Sequence, residues 1–141
     1  FNTQVTQGLL DGAKQVLTEA GVWEDDINVV EVPGSYEIPV VAANLIRQGK
    51  VDGVIALGCI MKGETKHDEF LANSVFQSLS MLSMESGIPV TAGVLTVNSQ
   101  EQADVRSGDT EMNRGREAAR TILEMVQLSF EMSKNEEAAQ E

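Results

Sequence analysis

Val51–Gly58, VDGVIALG, is apolar on both faces of any strand it forms. A strand with one wet side alternates apolar and polar residues. One without alternation is the signature of an inner strand of a parallel sheet with helices above and below it. The neighbouring segments supply them. Val5, Leu9, Ala13, Val16, Leu17 and Ala20 recur at helical spacing, with Asn2 or Thr3 as N-cap and Gly21 as the stop. INVVEV, Ile27–Val32, is β-branched and closed by Pro33-Gly34, which predicts a strand. IPVVAANLIRQG predicts a helix ending near Gly49. A longer helix over Phe70–Ser86 carries Leu71, Val75, Leu79 and Leu82 in one row, and IPVTAGVLT, Ile88–Thr96, predicts another strand. A short helix over Ser99–Val105 follows, then a longer one over Gly115–Met132 with Ala119, Ile122, Val126 and Phe130 inward. Met81, Met84 and Met125 follow helical faces and are assigned to the core, and Trp23 to a partly covered loop. Residues 132–141 form a polar tail, helical or disordered. Helices alternating with apolar strands give a single-domain α/β sandwich, residues 1–141, with a parallel sheet. A three-stranded sheet is small for five helical segments, so a strand before Phe1 is expected.

Composition narrows the chemistry. The 141 residues carry a net charge of −12, which argues against nucleic acid and against an anionic membrane surface, since both need clustered Lys and Arg. Any anionic substrate must therefore be held by local donors. One cysteine, Cys59, excludes an internal disulfide and suits a reducing, cytoplasmic location. No apolar run reaches the roughly 20 residues of a membrane span. Phe1–Gln7, polar and uncharged, does not read as a signal peptide.

In an open parallel sheet, ligands bind beyond the carboxyl ends of the strands. Three segments emerge there: PGSYE, GCIMKGETKH and TVNS. GCIMKGETKH, Gly58–His67, lets backbone approach a ligand closely, and its amides at Glu64 and Thr65 could take an anion at the head of the next helix. A plain strand–helix turn with Thr65 as N-cap accounts for the same spacing. His67, the sole histidine, has a side chain suited to proton transfer near neutrality, or it is merely exposed; with no second His or further Cys, no metal site is expected. Glu37 can accept from ligand hydroxyls or simply favour a helix N-terminus. Arg106 and Arg114 flank a turn containing Gly108 and could clamp a phosphate, or be ordinary surface arginines. Cys59 reads as a packed thiol.

Taken together, an opening Phe1-Asn2, PGSYEIP, GCIMKGETKH, PVTAGVLT, EQADVRSG and NRGREAA resemble the lumazine synthase family over nearly the whole chain. The resemblance implies a three-layer, flavodoxin-like α/β/α sandwich. It implies condensation of 5-amino-6-(D-ribitylamino)uracil with 3,4-dihydroxy-2-butanone 4-phosphate to give 6,7-dimethyl-8-ribityllumazine, the penultimate step of riboflavin biosynthesis. It implies neither metal nor organic cofactor. Phe1 would stack on the pyrimidine; Ser35, Tyr36 and Glu37 would hold the ribityl chain and ring edge. Cys59, Ile60 and Met61 would line the pyrimidine pocket, Glu64 and Thr65 would receive the phosphate, and His67 would move protons. Ala92 and Arg106 would come from a neighbouring subunit, Arg106 reaching the phosphate together with Arg114, which stands where the family usually has lysine. The partners implied are small-molecule substrates and further copies of the chain, as pentamers that in some members close into icosahedral shells.

The chain departs from the family pattern at several points. Ala92 stands where Phe is common, Asp68 replaces an aromatic after the histidine, and SGDTEMNRG is unusually acidic. The family places a strand before Phe-Asn, so such a strand is expected ahead of Phe1 here. The Ala92, Asp68 and acidic-turn departures keep a non-catalytic shell or scaffold homologue in view, and a related riboflavin synthase of the same superfamily is a third expectation.

Overall fold

In the computed structural model, which describes residues 3–140, the VDGVIALG run enters the sheet as β1, Val54–Met61. It pairs in parallel with β2, Val90–Val97, from Val54 opposite Val90 to Met61 opposite Val97. β1 is therefore shifted three residues along the chain from the expected Val51–Gly58: Val51–Gly53 lies before it, and Gly58–Met61 belongs to the strand rather than to the loop behind it.

Five helices surround this pair: α1, Thr3–Glu19; α2, Ile38–Arg47; α3, His67–Ser86; α4, Gln100–Ser107; and α5, Arg114–Gln140. The strand period of two divides β1 between two layers. Ala56 and Ile60 pack with Ile38 and Ala42 of α2 and with Val75 and Leu79 of α3. On the other face, Leu57 and Cys59 pack against Val5 and Leu9 of α1 and Ala103 of α4, while Ile55 meets Ala119 and Ile122 of α5. The result is α2/α3, sheet, then α1/α4/α5: a three-layer α/β/α sandwich of flavodoxin-like kind. Local signals place the helix ends. Ser99 Oγ accepts from the Gln102 N–H at the start of α4, and Gly87, at φ 73°, ends α3 in the left-handed region.

Three expectations need correction. Ile27–Val32 forms no strand. A strand exists through its ladder partners, and among the described residues the backbone of Asn28–Val32 has none. The segment faces β1 across a cleft of about 1980 Å³ lined by Val29–Val32 and Val54–Met61. Second, Met81, Met84 and Met125 are exposed, not core. Val75 and Leu79 set the inward face of α3, and Met81 and Met84 fall round the other side of the cylinder. Phe130 is also exposed, because α5 outruns the layer beneath it and stays exposed at nearly every position from Gln127 onward. Third, Trp23 is 75% exposed rather than a partly covered anchor. Among the described residues, no helix is long and apolar enough to cross a membrane.

Candidate functional site

The predicted residues assemble into two groups, one beside each free edge of the sheet. The first forms because β1 carries a glycine where PGSYE crosses it. A Cβ at Gly58 would lie 3.0 Å from Ser35 Oγ and 3.4 Å from Ile38 Cδ1, so a larger residue there would press the Ser35–Glu37 turn away from the strand by a few tenths of an ångström. Ser35 and Glu37 are half-buried and Tyr36 is exposed. Ser35, Cys59, Ile60, Met61 and His67 all border the cleft. Alternation turns neighbouring side chains apart, however: Ile60 packs with the α2/α3 layer and Cys59 with the α1/α4 layer. Burial pushes the Cys59 thiol up from its ordinary value, so the group stays protonated and is a poor nucleophile at neutral pH. Alkylation of Cys59 in the native protein should accordingly run slower than in the urea-unfolded chain. Equal rates would show an open, reactive thiol.

The head of α3 completes this group. Glu64 and Thr65 lie in the exposed turn after β1, and His67 is the first helical residue. Lys66 occupies the N-cap position and makes no side-chain cap. Thr65 Oγ1 instead accepts from the His67 N–H at 3.3 Å. Among the described residues, the amides of Glu64, Thr65 and Lys66 have no hydrogen-bond partner. Three free N–H groups at the positive end of a 20-residue helix suit an anion, with the side chains of Lys62 and Lys66 nearby and in no salt bridge among the described residues. One donor is already taken, because Asp68 Oδ2 accepts from the Gly63 N–H at 2.8 Å. A carboxylate inside an anion-binding turn competes with any phosphate brought there. Asp68→Asn keeps an acceptor for Gly63 and removes the charge, so affinity for inorganic phosphate should tighten about two- to fivefold by calorimetry. Unchanged or weaker binding would show that Asp68 does not compete.

The second group borders a groove of about 470 Å³ along the outer edge of β2, where Ala92, Arg106 and Arg114 meet. Arg106, in the last turn of α4, is half-buried and has no ion-pair or hydrogen-bond partner among the described residues. Arg114 opens α5, and its guanidinium pairs with Glu117 at 2.8 Å, exposed to solvent. Arg106 is thus the freer cation. The acidic turn between them is neutralised within the chain: Asp109 pairs with Arg116, and Glu111 lies 3.5 Å from Arg120.

Among the described residues, none borders both the cleft and the groove, so the two groups stand apart within one chain. Phe1 lies outside the described residues. Among the described residues, no cluster of three or more His, Cys, Asp or Glu side chains could hold a metal ion. Two features escaped the sequence reading. The Asp68–Gly63 contact spans five residues and has no short-range signature. Asn113, buried before α5, did carry one: Asn immediately ahead of a helix is an N-cap signal. Residues 1–129 match the protein-family model described as 6,7-dimethyl-8-ribityllumazine synthase.

Proposed function

Because the chain belongs to the lumazine synthase family, we propose that it condenses 5-amino-6-(D-ribitylamino)uracil with 3,4-dihydroxy-2-butanone 4-phosphate. The family supports a place in riboflavin biosynthesis. The observation that carries this reading is the head of α3: three amides without partners among the described residues, with His67 directly behind them, at the end of the strand that Ser35 crosses. The 5-amino group adds to the butanone carbonyl and loses water to form an imine. Elimination then releases inorganic phosphate, and ring closure expels a second water to give 6,7-dimethyl-8-ribityllumazine. The free amides and Lys62 and Lys66 bind the phosphate, the Ser35–Glu37 turn holds the ribityl hydroxyls, and His67 moves protons. Holding two reactants in one site supplies much of the acceleration.

The separation of the two groups supports a site completed by a second copy. The Ser35/His67 group of one chain faces the Arg106 groove of a neighbour, in a ring that the family resemblance makes a pentamer. Arg106→Ala then removes a charge-assisted contact worth roughly 1.5–3 kcal/mol. Apparent affinity for the butanone phosphate should fall at least about tenfold, with little change for the pyrimidine. Equal weakening for both substrates, or none, would remove Arg106 from the phosphate site.

One observation favours a second reading, a non-catalytic homologue that keeps the assembly: the Asp68 carboxylate occupies a donor of the anion turn. Product formation followed by absorbance, with both substrates supplied, separates the two. Turnover establishes the synthase; an intact assembly without turnover establishes the scaffold.

A further inference from the structure

Asn113 is 2% exposed, and its amide is the densest polar junction described in the molecule. Nδ2 donates to Gly108 O at 2.8 Å and to Ser107 O and Gly8 O at 3.1 Å each. Three carbonyls share two hydrogens, so one donation is bifurcated. Oδ1 accepts from the Arg116 N–H at 3.1 Å, the N-cap geometry for α5. The Asn113 N–H donates to Thr110 O, and its carbonyl accepts from the Glu117 N–H. One side chain therefore ends α4, begins α5 and ties both to α1. Close packing leaves it no freedom: a Cβ at Gly12 of α1 would lie 2.4 Å from Oδ1.

The two arginines of the β2 groove sit on either side of this junction. Arg106 directly precedes Ser107, whose carbonyl Asn113 binds, and Arg114 directly follows Asn113. Neither arginine is locked by a buried partner of its own: Arg106 is unpaired among the described residues, and the Arg114–Glu117 pair is exposed. We infer that Asn113 is a positioning residue that fixes the spacing and aim of Arg106 and Arg114, and so sets the affinity of the β2 groove for a phosphate-bearing substrate. The inference rests on the reading of that groove as the part of a shared site that brings arginines to the phosphate. It assigns the acidic turn a structural role, since residues 108–113 loop out from an anchor that holds both of their ends.

Two variants test it. Asn113→Ala removes every side-chain bond. Asn113→Ser keeps an oxygen that can cap α5 but loses the two amide N–H donors that reach α4 and α1. Both should raise KM for the butanone phosphate about three- to thirtyfold, the range of indirect coupling between neighbouring elements, while KM for the pyrimidine stays within about twofold. A loss confined to folding would lower the active fraction and move neither KM. Arg106→Ala runs alongside as the reference. If it weakens phosphate substrate and the folded Asn113 variants do not, the arginines are aimed without Asn113 and the inference fails. If Arg106→Ala itself has no effect, the reading of the groove fails, and the inference with it. Wild-type protein supplies an independent measurement should either variant not fold. Coupling is reciprocal, so inorganic phosphate should slow amide hydrogen exchange at Arg116 and Glu117, whose N–H groups bond to Asn113. Exchange there that is indifferent to saturating phosphate would overturn the proposal.

Discussion

His67→Ala should slow turnover about ten- to a hundredfold, with pyrimidine binding and assembly retained. The imidazole stands on the first residue of α3, exposed at the rim of the cleft that Ser35 and Met61 also border. The amides of Glu64, Thr65 and Lys66 precede it and have no other partner among the described residues. A phosphate held by those amides brings the carbon skeleton of the substrate within reach of the ring. Imine formation and phosphate loss each need a proton moved, and a positioned general acid or base typically contributes about 10²–10⁴-fold. The lower end applies here because phosphate is a good leaving group and proximity carries much of the work. His67→Gln serves as the second arm, since an amide keeps hydrogen bonding and cannot shuttle a proton. Both variants should be slowed alike. Full activity in either would make the histidine a bystander and leave the turn a simple anion-binding loop.

Gly115→Ala should destabilise the fold by roughly 2–3 kcal/mol, a large share of the roughly 5–15 kcal/mol that holds a domain together. The sign is what makes the test sharp. Alanine is the better helix former by about 1 kcal/mol, so at an open helical position the same change stabilises. Gly115 lies in the first turn of α5 where it crosses α1, and a Cβ there would sit 1.9 Å from the Leu9 carbonyl oxygen. That neighbour is helix backbone and cannot rotate aside, so α1 and α5 must separate. Their separation would strain the Asn113 junction and open the packing of Ala13 and Leu17 on Ala119 and Ile122. The urea midpoint should drop with the slope unchanged. A midpoint that rises, or stays put, would show that the helices slide apart at little cost.

Much of the architecture was legible because it rests on local periodicity. The rows Val5–Leu9–Ala13–Leu17 and Val75–Leu79 are buried as their spacing requires, and the unalternating VDGVIALG run became a strand covered on both faces. The site motifs were legible for the same reason: a strand, a glycine-rich turn and a helix start that follow one another in the chain must lie together in space. Three matters were decided only in three dimensions. Ile27–Val32 has every local mark of a strand, yet strands are made by partners, and among the described residues none pairs with it. Met81 and Phe130 are as apolar as core residues, but a helix buries only the face another layer covers, and α5 extends past that layer. Ala92, Arg106 and Arg114 share a motif family with His67 but stand at the other free edge of the sheet. The residue types suited to phosphate chemistry were set by the sequence. Which of them one chain can bring together was set by the order of two strands and the packing of five helices, because a sheet edge separates what side chains alone cannot bridge.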